Sequence, residues 1–175
     1  MAATENVRAE VARRARYRCE YCGYPEAASS TPLEVDHIVP RARGGIATFD
    51  DLALCCRGCN LHKHVQPEAV DPVTAVTVRL FNPRTQQWPE HFRLERDTNT
   101  VRGLTPIGRA TVVALALNSA HALATRKLLI QLGLIKTRAK PRPSGRGYKR
   151  VAPSAGQFLL LAQASRQTWY NKKPW

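Results

Sequence analysis

The sequence predicts an α+β fold, and three observations predict it. Two C-x2-C pairs, Cys19 with Cys22 and Cys56 with Cys59, are separated by 33 residues. The alternating run "LEVDHIVP" at 33–40 lies between them, and short strand-like runs followed by a long apolar helical stretch come after them. The 175 residues suffice for one domain with a proper core, and one core is the expectation.

The elements follow in order. Residues 5–17 predict a helix, because Val7, Val11, Ala12 and Ala15 recur at helical spacing while arginines take the other face. That helix delivers the chain to Cys19. "LEVDHIVP" alternates and is rich in β-branched residues, which predicts a strand; Pro40 closes it, and Gly44-Gly45 marks a turn. "FDDLALCC" at 49–56 is expected to form a short helical turn, and "RGCNLHKH" to open a second helix carrying Cys59, Asn60 and His64. "AVTVRLFNP", "EHFRLE" and "NTVRGL" are expected to make a small antiparallel sheet. From Thr105, an N-cap followed by Pro106, residues 105–133 predict one bent helix or two packed ones. A last apolar run within 152–175 predicts a docking helix, and no internal repeat is present.

Charge points to a polyanion. Lys plus Arg number 27 against 13 acids, a net charge of +14. The last acid is Asp97, so residues 98 to 175 carry fourteen basic side chains and no acidic one. Most of these lie after Leu134, where Pro, Gly and Arg content reads as a basic arm suited to nucleic acid. A membrane surface is disfavoured, because no lipid-anchor or basic amphipathic pattern accompanies the arm. No run reaches the roughly 20 apolar residues that cross a bilayer, and the N-terminus lacks the apolar stretch of a secretion signal. The expected location is therefore the cytoplasm.

In a reducing compartment, four of five cysteines in two C-x2-C pairs suit a tetrahedral Zn²⁺ held by Cys19, Cys22, Cys56 and Cys59 and closed to substrate. Buried thiols acting as small hydrophobes would explain one such pair poorly and two hardly at all. Cys55 is off that spacing and is expected to be a packed side chain. Zinc would also supply the folding free energy that so short a segment lacks.

A histidine in an apolar strand is ordinarily a packed one, but His37 has company. Asp36 precedes it, so the two side chains point to opposite faces unless the backbone bends or the strand ends near Pro40. Asn60 directly follows the third zinc cysteine's partner in the second pair, on a helix that zinc would pin, and His64 lies four residues on, on the same helical face.

Together "CEYC", "VDHIVPRARGG", "DDLALCC" and "CRGCNLHK" resemble the HNH endonucleases, in their zinc-bearing branch. The resemblance covers residues 19–63, and "LFNPRTQQWPEHFRLE" with "GLTPIGRATVVALALN" extends it to about residue 135. It implies a zinc-stapled ββα-metal, treble-clef-like core with an additional small antiparallel sheet and C-terminal helices. The expected organisation is a helix and nuclease core at 1–64, a packed extension at 65–135 and a basic arm at 136–175.

Carried onto this sequence, the resemblance makes His37 the general base and Asp36 and Asn60 the protein ligands of a catalytic Mg²⁺ or Mn²⁺. It implies DNA hydrolysis to 5′-phosphate and 3′-hydroxyl ends, one strand per active site. Two positions depart from the pattern. Asp51 stands where an asparagine usually holds the loop bearing the base, and an ionised aspartate accepts but does not donate. His64 stands where glycine is common; a further ligand and a solvent-facing histidine are the two readings. Arg41, Arg43, Arg57 and Lys63 are candidate phosphate contacts. Trp88, His91, Trp169, Tyr170 and Trp175 are expected to pack rather than to stack on bases.

The rival readings are a non-catalytic zinc module that binds DNA or RNA, and a nuclease subunit of a defence or mobile-element complex. Cutting both strands of a duplex would need a second protomer or a second visit; the expected partner is DNA, with RNA left open, alongside a second copy or another protein as further candidates.

Overall fold

The computed structural model describes residues 2–46 and 48–136. The basic arm from residue 137 on, its docking helix, and Trp169, Tyr170 and Trp175 lie outside them.

The first helix, α1, spans Ala2–Arg14 and stops short of the expected residue 17. It stops because Arg16 and Tyr17 both take left-handed backbone, with φ of 52° and 54°, and the Tyr17 amide turns back to Ala12 O at 2.8 Å. The C-terminal half of α1 packs: Val11 and Ala12 are fully buried, whereas Val7 is exposed. The sharp exit brings the Cys19 amide to Tyr24 O at 2.8 Å and closes a tight cysteine turn. Gly23 completes that turn at φ +76°, where a side chain would be strained.

Strand β1 spans Glu34–His37 and pairs antiparallel with β2, Leu52–Cys55, in the register Glu34 to Cys55, Asp36 to Ala53 and His37 to Leu52. Helix α2, Arg57–Lys63, follows directly and completes a ββα unit. The expected helical turn over "FDDLALCC" is thus corrected: a 3₁₀ turn is confined to Phe49–Asp51, and the remainder is strand. All four residues of β2 are buried, so the run has none of the alternation that marks a one-sided strand.

The later strand-like runs form two separate hairpins. β3, Glu68–Val70, pairs with β4, Thr77–Arg79; after a short helix α3, Trp88–His91, β5, Phe92–Leu94, pairs with β6, Val101–Gly103. The stretch 105–133 is two helices, α4 at Pro106–Ala114 and α5 at Ala120–Gln131. Thr105 caps α4 as its sequence predicts, Oγ1 accepting the Gly108 amide at 3.1 Å. Gly108 lets α4 lie flush on the hairpin: a Cβ there would come within 2.1 Å of His91 O.

One buried cluster joins these pieces. It holds Val11, Cys19, Tyr21, Leu54 and Cys59 together with Phe81, Phe92, Val101 and Leu117. Trp88 donates to Tyr21 O at 2.9 Å and lies 5.1 Å from the Phe92 ring, so it packs as expected. Arg84 pairs with Glu20 across the same boundary. The mixture of helices and small antiparallel pairs is an α+β fold, and no helix among the described residues is long and apolar enough to cross a membrane.

Candidate functional site

The sulfur atoms of Cys19, Cys22, Cys56 and Cys59 lie within 4.8 Å of one another, two from the turn after α1 and two from the start of α2. Cys22 and Cys56 Sγ are 3.7 Å apart. Ligands 2.3 Å from a tetrahedral Zn²⁺ stand about 3.8 Å from each other, so the cluster has the dimension zinc requires. Its protonation is that of sulfurs competing for charge. Burial opposes ionisation of Cys19, yet the hydrogen bonds it accepts from Cys22, Cys55, Cys56 and Cys59 hold its thiol well below the usual value. Donating to Cys19 pushes Cys22 and Cys59 well above it. Cys55 is fully buried, and its thiol points to Cys56 O at 3.5 Å, the packed role its spacing implies.

Beside this cluster α2 lies on one face of β1. Residues 34 and 36 share that face by the two-residue period of a strand, and residues 60 and 63 share one face of the helix. The contacts follow: Asn60 Nδ2 donates to Glu34 Oε2, and Lys63 Nζ stands 2.8 Å from Asp36 Oδ2. Lys63 also donates to the His37 backbone carbonyl at 2.6 Å. It is 1% exposed, which corrects its expected surface position: α2 turns this residue inward, where a carboxylate and a carbonyl compensate the buried ammonium. Arg41, Arg43 and Arg57 are exposed, Arg57 with its guanidinium 3.7 Å from Glu34 Oε1.

His37 ends β1. The register runs without a bulge to that residue, so its side chain leaves on the face opposite Asp36, and the strand end, not a bulge, sets its surroundings. The chain beyond it is held at two points. Asp51 Oδ1 accepts the Val39 amide at 3.0 Å, and the Ile38 amide donates to Asp51 O at 2.8 Å. Gly44 takes φ +86°, and a Cβ on Gly45 would overlap Val39 O at 1.8 Å, which explains the double glycine. Asp51 Oδ1 thus accepts from the loop backbone as an asparagine carbonyl would.

Six buried side-chain polar atoms among the described residues lack a hydrogen-bond partner, and three belong to β1 and the turn that leads into β2: Asp36 Oδ2, His37 Nε2 and Asp51 Oδ2. The ion pair of Asp36 with Lys63 supplies charge without an aligned hydrogen bond. Native interiors seldom leave such atoms unpaired, and where they do a catalytic role or an ion is a standing explanation. Asp36 and Asn60, two oxygen donors on facing elements, fit a hard divalent cation.

His64 is exposed and ends α2 at φ 47° and ψ −129°, a positive-φ backbone that glycine adopts more readily than histidine. Glu34 is the residue that sequence reasoning passed over. Its signal was there: it precedes Asp36 by two on an alternating strand and so had to face the same helix.

A family model described as HNH endonuclease matches residues 19–66. No curated protein and no solved structure matches the chain. The matched segment carries the cysteine cluster and the ββα unit, so these residues are similar to the HNH endonuclease family.

Proposed function

We propose that the protein is a cytoplasmic, metal-dependent DNA endonuclease that nicks one strand per active site. The observation that carries this reading is the likeness of residues 19–66 to the HNH endonuclease family over a ββα unit in which four cysteines cluster at the start of the helix and β1 carries Asp36 and His37. His37 Nε2, unpaired and at the end of a rigid strand, is the general base that takes a proton from the attacking water. Asp51 and the Gly44-Gly45 turn keep the backbone after it in place. Asp36 and Asn60 would hold Mg²⁺ or Mn²⁺, whose contribution when bound is to offset charge on the phosphate and stabilise the leaving 3′ oxygen. Hydrolysis leaves 5′-phosphate and 3′-hydroxyl ends. Arg41, Arg43 and Arg57, all exposed, would meet phosphates with little demand on base sequence.

A second reading has its own observation. Asn60 and Asp36 already have protein partners in Glu34 and Lys63, which suits a zinc module that binds nucleic acid without cutting it. One assay separates them. On supercoiled plasmid with Mg²⁺ or Mn²⁺, wild type is expected to nick, and His37→Ala to slow nicking by roughly 100-fold or more. Asn60→Ala is expected to lose cleavage and keep its zinc. Binding by wild type with no nicking would establish the module instead.

A further inference from the structure

Lys63 has a place that packing alone does not explain. An ammonium among the described core residues is 1% exposed, although an apolar side chain of similar length would fill the same space without the cost of desolvating a charge. Its two partners are both on β1, and both belong to the proposed chemistry: the carboxylate of Asp36 at 2.8 Å and the main-chain carbonyl of His37 at 2.6 Å. One turn earlier on the same helix face, Asn60 is tied to Glu34. Helix α2 therefore grips β1 through the two residues proposed to hold the catalytic cation, and at Asp36 the grip is itself a positive charge.

We infer that Lys63 is a positioning residue that makes divalent-cation binding at Asp36 depend on the substrate phosphate. This inference rests on the nuclease reading above. Asp36 Oδ2 is closed off from solvent and stands against the ammonium, so a cation is received through Oδ1 alone. A single-oxygen grip leaves most of the coordination sphere to water and phosphate, the pattern that Mg²⁺ and Mn²⁺ favour. The charge acts in the same direction. Asp36 and Lys63 together sum to zero, and a divalent cation arriving at Oδ1 meets the repulsion of a nearby ammonium in a site that solvent screens poorly. Free protein accordingly binds the cation weakly. A phosphodiester in the groove restores a negative charge and supplies further oxygen ligands, so cation and DNA bind each other's complex more tightly than either binds the protein alone. The hydrogen bond to His37 O gives Lys63 a second task, which is to fix the strand end from which the base projects.

The test is Mn²⁺ affinity, read by calorimetry on zinc-loaded protein, alongside plasmid nicking. Lys63→Met removes the charge and keeps the length. It is expected to bind Mn²⁺ about tenfold or more tightly than wild type without DNA, and to nick more slowly at saturating Mn²⁺, a loss in kcat rather than in KM. Lys63→Gln, which keeps a donor for His37 O, serves where the methionine variant does not fold, with the same expected gain in affinity. His37→Ala, which leaves DNA uncut, allows the coupling to be measured directly: Mn²⁺ should bind about tenfold or more tightly when a short duplex is present. Wild type that nicks, with charge-neutral variants that bind Mn²⁺ no more tightly and a His37→Ala protein indifferent to duplex, overturns the inference and leaves the nuclease standing. Wild type that neither nicks nor binds Mn²⁺ overturns the nuclease reading and the inference with it.

Discussion

Asp51 shows how one atom separates two amino acids. Its Oδ1 accepts the Val39 amide at 3.0 Å, as an asparagine carbonyl would, but its Oδ2 is buried with no hydrogen-bond partner. A Cβ on Gly45 would stand 3.0 Å from that second oxygen, so the loop has closed over it. Asp51→Asn retains the acceptor and replaces the enclosed second oxygen, which has no hydrogen-bond partner, with an N–H donor. The variant is expected to be more stable by about 1 kcal/mol, a shift to be read from the urea midpoint. Asp51→Ala is expected to lose about 1–3 kcal/mol, because the Val39 amide is then left unpaired inside the loop. An unchanged midpoint for the alanine variant would mean that the amide finds water and that the loop does not depend on this side chain. The departure itself was legible in the sequence. Its outcome was not, because whether a second oxygen is buried depends on how a glycine packs against a carbonyl from a residue six positions away.

At the scale of elements, legibility followed periodicity and caps. Helix α4 was readable from Thr105 and Pro106 because a cap is a local event, and the structure shows that hydroxyl on the Gly108 amide. β2 was misread because burial on both faces erases alternation, and β3 was not foreseen because "PEAV" is short and mostly exposed. What holds β3 and β4 in place is an ion pair that no local pattern encodes. Asp71, fully enclosed at the turn between them, receives Arg109 from α4 through Nε at 2.8 Å and Nη2 at 2.7 Å. The Arg109 contact, helped by Thr74, holds the Asp71 carboxyl well below the usual carboxylate range. A carboxyl depressed on folding contributes stability that is fully present above its unfolded pKa and is lost as pH falls toward the folded one. Asp71→Asn is therefore expected to lower Tm at neutral pH. The gap to wild type should narrow as pH drops from about 5 to about 3, measured by circular dichroism. A gap that stays constant over that range would show that the pair contributes no pH-dependent stability.

Across the whole molecule the question is how far the influence of the zinc cluster reaches. The sequence suggested a nuclease core ending near residue 64 and an extension packed on it, a division along the chain. Cys19 and Cys59 belong to the same packed group as Phe92, Val101 and Leu117. Trp88 of the extension hydrogen-bonds Tyr21 between the first two cysteines, and Arg84 meets Glu20 in the same turn. The four sulfurs lie within 4.8 Å of one another, a spacing that a tetrahedral Zn²⁺ would hold together. Removing zinc should therefore open the cysteine turn, and the turn is what Trp88 and Arg84 hold. The expected result of Cys56→Ser, or of a strong chelator, is loss of zinc together with one cooperative unfolding transition seen alike by far-ultraviolet dichroism and tryptophan fluorescence. Because ligation displaces protons from the thiols, less chelator should suffice as pH is lowered. Two separated transitions, with the α4 and β5–β6 portion outlasting the metal, would mean that the extension folds by its own packing and that zinc governs the nuclease segment alone.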